Sequence, residues 1–441
     1  MIKAEINELL RQYVRDNLSP DEKDRAFVSN IYESFTELLN NNCIQIGSYP
    51  RFTSVRPLHD LDILYILGEW NQYEHNPQSA LSELFKSVKA DYENPTDYAV
   101  EVSLQTHSVT VAYFEGKEEI FSVDIVPAYI FFKNEFQLDT YKVPEILRKK
   151  HGQKRNEYYQ QLATQGRQME WINSDPRGYI QVATEINKSS NDFRKSVKFV
   201  KAWANSYKAK YDDFKMKSFH IEQLITIQYT HQPNLEIFDA VFQFFLQLPE
   251  AFSKAQVTDR ADNTRYIDDY VNDITQTQKN LILEARNRFL SKLESVYFDI
   301  EVEDLLEPIL YTRLPSEDFL YDRQIPTLTE STMTIEGWIQ KDGNDFRRLT
   351  QQGFIDNGLK IKFKLHMGVD CDEYWWKVKN DNNCEQPRGD ITVGSTKNVP
   401  EDTKYPGNHY VECYAIRDGI CIAKARQNVV IKEKRSLYPS H

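Results

Sequence analysis

The sequence lacks any long apolar run. None of its segments approaches the ~20 consecutive apolar residues that a membrane-spanning helix needs. The first residues, MIKAEINELLRQYVRDN, have neither the basic start nor the apolar stretch of a secretion signal. We therefore expect a cytoplasmic protein that has no membrane partner.

Cysteine is scarce and shows no metal-binding spacing. The five cysteines form no CxxC pair, and they are Cys43, Cys371, Cys384, Cys413 and Cys421. Their odd number and wide separation favour buried free thiols in a reducing compartment. A zinc site among the last four stays open as the alternative.

The chain also lacks an excess of positive charge. Its formal net charge is −12, from 54 Lys and Arg against 66 Asp and Glu. That balance argues against a protein whose main ligand is long nucleic acid. A local basic pocket is still compatible with it. The basic stretch LRKKHGQKR at 147–155 is more simply a solvated surface.

The chain is too long for one ordinary core, and its pattern changes twice. An α/β segment comes first, amphipathic helices follow from about 142 to 310, and alternating strands rich in β-branched and aromatic residues come last. The predicted fold class is α+β with a C-terminal all-β sandwich-like module. We expect domains at 1–160, 161–312 and 313–441.

The first segment predicts a mostly antiparallel sheet flanked by helices. Helices are expected over 3–17 and 78–91, and another begins with Ser19 as N-cap and Glu22 closing a capping box. Strands are expected at 44–47, 61–67, 98–104, 108–114 and 120–130, with a hairpin turn at 115–117.

Two acids flank Leu61 at the start of a predicted strand. The period of two places the Asp60 and Asp62 carboxylates on one face, roughly 7 Å apart at the Cα atoms, and Leu61 on the other. Such carboxylates repel each other unless a cation lies between them, and Mg²⁺ prefers oxygen ligands. An exposed strand end remains the simpler alternative for the pair alone.

A third acid, Asp124, lies inside the strand FSVDIVPA. A charge there is costly if buried unless it is paired or metal-bound. A hairpin that brings this strand beside 61–67 would add Asp124 to the two-acid face; a solvent-facing Asp is the alternative. Three such acids can hold two metal ions, which is the equipment of phosphoryl transfer.

Gly47 and Ser48 precede the acid pair in IQIGSYPRFTSVRPLHDLD. Gly47 has no side chain, so a phosphate can approach the backbone closely, and Ser48 offers a hydroxyl and an amide N–H. With the acids following 12 residues later, a phosphate cradle becomes more plausible than a simple turn.

The sequence GSYPRFTSVRPLHDLD followed by VDIVPA resembles the pattern of polymerase-β-like nucleotidyltransferases. WINSDPRGYI, SVKFVKAW and KSFHIEQL narrow the resemblance to the branch of oligoadenylate synthases, cyclic GMP-AMP synthase and the bacterial CD-NTases. It covers roughly residues 1–310 and implies a nucleotidyltransferase core closed by a helical lobe.

The resemblance implies a role for nine positions. Asp60, Asp62 and Asp124 would be the catalytic and metal-binding triad for Mg²⁺ or Mn²⁺; Gly47, Ser48, Thr53, Lys201, Ser218 and Phe219 would bind nucleotide. Lys201 and Ser218 would contact the triphosphate, with Lys198 as a rival for the lysine. Phe219 would stack on a base, or be simple core.

The C-terminal module resembles the AGS-C domain, found behind such bacterial enzymes and proposed as a sensor. The resemblance lies in EYWWKVKNDNNCEQPRGDI and EDTKYPGNHYVECYAIRDGICIAKARQNVVI. A small ligand or nucleotide face there would use Trp375, Trp376, Arg388, Tyr405, His409 and Tyr410. Packing of these aromatic residues in the sandwich core is the alternative.

The resemblance implies an enzyme that joins nucleoside triphosphates, ATP and/or GTP, into a cyclic or linear oligonucleotide messenger. That messenger would act on a separate effector protein in anti-phage (CBASS-type) signalling. Three alternatives remain: transfer to RNA, DNA or protein as in toxins or tail-adding enzymes, linear products including deoxynucleotides, and a non-enzymatic nucleotide sensor.

Overall fold

The computed structural model describes residues 2–145, 169–295, 301–351, 353–394 and 399–433. The basic stretch at 147–155 lies outside these residues. The chain divides into two compact units, Asn7–Ile282 and Leu283–His441 with Met1–Ile6. The predicted division into three domains stays a prediction. No helix in the described ranges is long and apolar enough to cross a membrane.

The first unit contains a seven-stranded sheet in the order β1-β2-β5-β4-β3, with β6 beside β5 and β7 beside β6. The strands are β1 (Cys43–Ile46), β2 (Asp60–Glu69), β3 (Ala99–Leu104), β4 (Val109–Glu115), β5 (Glu118–Lys133), β6 (Asp139–Glu145) and β7 (Glu170–Ser174). The strand pairs are antiparallel, as predicted, except that β2 and β5 are parallel.

The helices of this unit follow the predicted pattern, with one strand in place of a helix. They are α1 (Ile2–Tyr13), α2 (Glu22–Leu38), α3 (Pro77–Asp91), α4 (Pro176–Ser189), α5 (Phe193–Lys210), α6 (Ser218–His231), α7 (Ile237–Ala251) and α8 (Gln276–Ser295), the first and the last crossing the unit boundary. Residues 170–174, within the region predicted as helical, form β7 because they pair with β6.

The predicted cap of α2 is wrong. Asp21 is the N-cap and forms the capping box with Asp24. Ser19 instead donates to the Val14 carbonyl at 2.9 Å, at the end of a π-helical turn over Val14–Leu18. Either side chain can cap, and the chain uses Ser19 to end the preceding turn.

One face of the β2–β5–β4 sheet forms the core. Leu61, Ile63, Val123, Ile125 and Val111 are fully buried in one apolar cluster with residues of α2 and α3. Burying each such side chain stabilises the fold by roughly 2 kcal/mol. Because side chains alternate along a strand, this core fixes the residues between them on the opposite face.

The second unit contains the predicted sandwich. A five-stranded sheet has the order β10-β16-β15-β12-β13, and a four-stranded sheet has the order β14-β11-β8-β9. Their strands are β8 (Thr334–Lys341), β9 (Asn344–Arg348), β10 (Ile355–Asp356), β11 (Lys360–Met367), β12 (Glu373–Lys379), β13 (Gly389–Val393), β14 (Glu401–Asp402), β15 (Gly407–Arg417) and β16 (Ile420–Lys432); a short helix, α9 (Val302–Leu306), precedes them. One buried cluster joins both sheets, which confirms the predicted fold class.

Candidate active site

Asp60 and Asp62 share the face of β2 that is opposite the core. Leu61 between them is fully buried, so the alternation predicted from the sequence holds. Asp60 is exposed, and Asp62 is partly exposed to the cleft described below. The two carboxylates are therefore held on one side by the burial of Leu61 and Ile63.

Asp124 lies directly beside Asp62 because β2 and β5 are parallel and in that register. The predicted hairpin, which would make these strands antiparallel, is therefore wrong. Asp124 nevertheless lies beside Asp62, as the prediction required. Thr110 is opposite Asp124 on β4, and its hydroxyl donates to Asp124 Oδ1; Ser108 donates to the same oxygen at 3.3 Å. Two hydroxyls that the sequence analysis missed thus orient the third carboxylate.

The three acids create a strongly negative face. Burial, followed by the charges of Asp60 and Asp124, raises the pKa of Asp62 to about 7. The described residues contain no ready-made group of three or more His, Cys, Asp or Glu ligands around one point. A divalent cation suits the carboxylate oxygens of this face, because it would offset the repulsion among the acids.

Gly47 continues β1 and touches Asp62. Ile46 pairs with Asp62 across the strands, and Gly47 has φ +76°, a conformation that glycine adopts readily. A Cβ added to Gly47 would overlap the Asp62 carboxylate. The Ser48 carbonyl accepts the Thr53 amide at 3.0 Å, which closes a compact loop of residues 47–53, the GS loop.

Gly47→Ala is expected to lower the nucleotidyl transfer that the sequence resemblance implies by about a hundredfold, because the added methyl group displaces Asp62 in addition to straining the backbone. The matched control is Gly116→Ala. Gly116 also has positive φ, +65°, but a Cβ there meets nothing within 4 Å. Comparable destabilisation by thermal unfolding, with activity lost only in Gly47→Ala, is the expected outcome. Equal activity of the two variants would contradict it.

Lys201 lies in a buried charge network. Its Nζ donates to Glu222 Oε2 at 2.8 Å and to the Thr53 carbonyl at 3.1 Å. Glu222 also accepts from Arg51 and, at 2.8 Å, from the Thr53 hydroxyl. All four residues are almost fully buried. The network joins α5 and α6 to the GS loop, and sequence reasoning missed Arg51 and Glu222.

The helix lysines therefore differ in their surroundings. Lys201 is engaged with Glu222, whereas Lys198 donates to the Ser19 hydroxyl at 2.9 Å. Lys208, two turns further along α5, is 3.4 Å from the Ser218 hydroxyl. Burial and the charge of Lys201 lower the pKa of Lys208 to about 8, although Asp60 opposes this. Lys208 is thus the lysine paired with Ser218.

Phe219 belongs to an aromatic wall. Its ring meets Tyr179 edge to face at 5.0 Å between centroids, and the Arg51 guanidinium lies 5.2 Å from its centroid. Phe219 is partly exposed and lines the cleft. A base could therefore contact this wall.

A cleft of about 520 Å³ brings the predicted residues together. It is lined by Gly47, Ser48, Thr53, Asp60, Asp62, Lys201, Ser218 and Phe219, with Arg51, Tyr179 and Asp259 among the others. Asp124 is not part of the lining itself but lies beside Asp62 in the sheet. The volume accommodates a nucleotide-sized ligand.

The C-terminal unit has a cavity of its own, about 360 Å³, at one end of the sandwich. Arg388, Tyr405, His409 and Tyr410 line it, as predicted for a ligand face. Trp376 is buried in the core, so the core alternative applies to it. Trp375 is partly buried against a second cluster, and neither tryptophan lines the cavity.

His409 has a structural role in this cavity. Its Nδ1 accepts the Asp381 amide at 3.1 Å, and its Nε2 is 2.8 Å from the Tyr405 carbonyl. Burial lowers the pKa of His409, so the neutral ring bridges two backbone segments.

All five cysteines are free, three of them buried, which agrees with the thiol prediction.

Glu294, near the end of α8, is enclosed in the C-terminal unit. Its carboxylate accepts the Leu320 amide at 2.8 Å. Burial, opposed by that bond and by Lys377, raises the pKa of Glu294 to about 7. Because the pKa of Glu294 is higher in the folded chain than its ordinary value of 4.5, the stability of the fold decreases as pH rises from 4.5 through 7.

Glu294→Gln is therefore expected to raise the unfolding temperature of this unit at pH 8 and to change it little at pH 4.5. The expected gain at pH 8 is roughly 2 kcal/mol. Thermal unfolding of the full chain at both pH values measures it. Glu303→Gln, at an exposed acid of α9, is the control. An equal shift at both pH values would contradict the assignment.

Comparison with known protein families agrees with the resemblance of the C-terminal module. Residues 315–432 match the family model of the Adenylyl/Guanylyl and SMODS C-terminal sensor domain, which confirms the AGS-C prediction. No functionally curated relative matches the chain.

Three solved structures are similar to the chain at low identity. The structure of Escherichia coli MS115-1 CdnC with ATP has 16% identity and a TM-score of 0.49, over 70% of this chain and 99% of that one. The Elizabethkingia meningoseptica CdnE cyclic dinucleotide synthase has 14% identity and a TM-score of 0.39, over 56% and 84%. The Vibrio cholerae DncV cyclic AMP-GMP synthase has 18% identity and a TM-score of 0.38, over 60% and 67%.

Proposed function

We propose that this chain is a Mg²⁺-dependent nucleotidyltransferase of the CD-NTase kind, which joins nucleoside triphosphates with release of pyrophosphate. The observation that carries the proposal is the cross-strand register of Asp62 and Asp124 beside Gly47 and Ser48. Two of the three carboxylates and a phosphate cradle line one cleft, and Asp124 lies beside Asp62 in the sheet.

The reaction requires a hydroxyl of one nucleotide to attack the α-phosphate of another. A new P–O bond forms, the bond to the β-phosphate breaks, and the hydroxyl proton leaves. Mg²⁺ held by Asp60, Asp62 and Asp124 would lower the pKa of that hydroxyl and neutralise the phosphates. Mn²⁺ prefers the same oxygen ligands.

The other residues of the cleft position the substrates. The Ser48 hydroxyl and the backbone of the GS loop would bind phosphate oxygens. Ser218 would bind the triphosphate at the other wall, with Lys208, from outside the lining, paired to its hydroxyl. Phe219 would stack against a base. Lys201 would act through the buried network, holding Thr53 and Glu222 in place.

The product we propose is a cyclic or linear oligonucleotide messenger that acts on an effector protein in anti-phage (CBASS-type) signalling. The AGS-C match supports this assignment. The names of the similar proteins, two of them cyclic nucleotide synthases, are consistent with ATP and GTP as substrates. The alternative is the same chemistry applied to linear products, deoxynucleotides, or RNA, DNA or protein acceptors.

Mass spectrometry of the products tests this proposal. The chain is incubated with Mg²⁺ or Mn²⁺ and all four NTPs, and separately with all four dNTPs. Small oligonucleotide products together with pyrophosphate are the expected result. Absence of both under all conditions would overturn the proposed activity, and products from dNTPs alone would favour the alternative substrate class.

A further inference from the structure

The tip of the GS loop carries an exposed aromatic ring. Arg51 and Thr53 line the cleft, but Phe52 between them has φ +59°, which turns its side chain out of that lining, and the side chain is 61% exposed. A bulky residue with positive φ is strained. The chain therefore tolerates strain to present this ring.

Arg194 lies over the Phe52 ring, with its guanidinium carbon 4.6 Å from the centroid. Its Nε is buried and has no hydrogen-bond partner among the described residues. A buried donor without an acceptor costs free energy. The Arg194 side chain as a whole is partly exposed, and it forms no ion pair among the described residues. Its charge beside the exposed ring is thus available to an anion that the protein itself does not supply.

Two further cations lie nearby without a carboxylate. Lys198 is partly buried and donates to the Ser19 hydroxyl at 2.9 Å, and Arg25 donates to the adjacent Pro20 carbonyl at 2.9 Å. In the part of the chain that the structure describes, Arg25, Arg194 and Lys198 form no ion pair. We call these three residues the outer basic cluster.

The acids around this cluster are already engaged. Asp24 and Asp21 pair with Arg56 at 2.7 and 3.1 Å, and Asp192 pairs with Arg11 at 2.7 Å and Lys195 at 3.4 Å. The positive charges of the cluster therefore repel one another. Burial, and after it the charges of Arg194 and Arg25, lower the pKa of Lys198 to about 8. An anion bound here would relieve this repulsion.

We propose that the outer basic cluster and Phe52 form a second binding site, outside the cleft, for a nucleoside phosphate. The cations take the phosphate and the exposed ring takes the base, the pairing of contacts that nucleotides favour. The net charge of −12 opposes long polyanions, so the ligand is a small nucleotide. The site does not depend on the proposed reaction.

Calorimetric titration of the full chain with AMP, in EDTA, tests the site. We expect the outer class of sites in the wild type and its loss in Arg194→Gln/Lys198→Gln, with outer-site affinity reduced at least tenfold, whether or not AMP also binds the metal-free cleft. Lys195→Gln, on the same helix but paired with Asp192, should keep the outer class. Thermal unfolding establishes that each variant is folded, and the single Arg194→Gln variant serves if the double variant is not.

Adenosine and inorganic phosphate separate the ligand classes. Adenosine, which lacks the phosphate, should not fill the outer site, and inorganic phosphate should bind at least tenfold more weakly than AMP. No AMP binding by the wild type would overturn the proposal, as would equal AMP binding by the double variant. Phosphate binding as tight as AMP binding would overturn the assignment to nucleotides.

Discussion

Asp62→Asn is expected to reduce nucleotidyl transfer by at least about a thousandfold while leaving the fold intact. Asn keeps the volume of the side chain but removes the central negative charge of the three-acid face. The thousandfold loss of rate corresponds to about 4 kcal/mol of transition-state stabilisation. In metal-free buffer the variant should be as stable as the wild type or more so, because Asp62 is repelled by Asp60 and Asp124.

Two measurements decide this prediction. Pyrophosphate release at saturating Mg²⁺ gives the activity, and thermal unfolding in EDTA gives the stability. Asp91→Asn, at the exposed end of α3, is the control and should change neither. Turnover within tenfold of the wild type in Asp62→Asn would exclude the three-acid face as the catalytic centre.

Glu222→Gln is expected to lower the free energy of unfolding by roughly 3 kcal/mol, because Arg51 and Lys201 then lose a buried partner. Burial by itself raises the pKa of Glu222, but the charges of Arg51 and Lys201 outweigh it and lower that pKa to about 2. Its stabilisation is present above the ordinary value of 4.5 and is lost as pH falls through 2. The variant should lack this acid-dependent loss.

The control is Glu236→Gln, because Glu236 pairs with Arg11 while 45% exposed. Its expected cost is below about 1 kcal/mol. A double-mutant cycle of Glu222→Gln with Lys201→Met then measures their coupling. If Lys201 acts through Glu222, the two losses in turnover are not additive; additive losses would make Lys201 a direct phosphate contact and contradict the network.

Local spacing was enough to predict half of the site. Asp60, Leu61 and Asp62 obey strand alternation, and Gly47 is close in sequence to the acids it contacts. Asp124 could be suspected as a charge in an apolar strand, but its place beside Asp62 depends on a parallel pairing that no local pattern specifies. The contact with Thr110 follows from a different pairing, the antiparallel register of β4 and β5.

The buried network was beyond sequence reasoning because its members are far apart. Arg51 and Glu222 are separated by 171 residues, and neither has a periodicity that distinguishes it from a surface charge. Lys201 was assigned by resemblance alone; it lines the cleft, but its bond to Glu222 could not be read from local spacing. In the sandwich, Trp376 and Arg388 looked equally suited to a ligand, but strand register places Trp376 in the core.

The most direct test of the central claim follows the α-phosphate itself. The chain is incubated with Mg²⁺ and ATP and GTP labelled with ³²P at the α-position, and the products are treated with phosphatase and separated by size. We predict label in small products that resist phosphatase, and none with Asp60→Asn/Asp62→Asn. Label confined to macromolecules, or released entirely as inorganic phosphate by the phosphatase, would contradict the account.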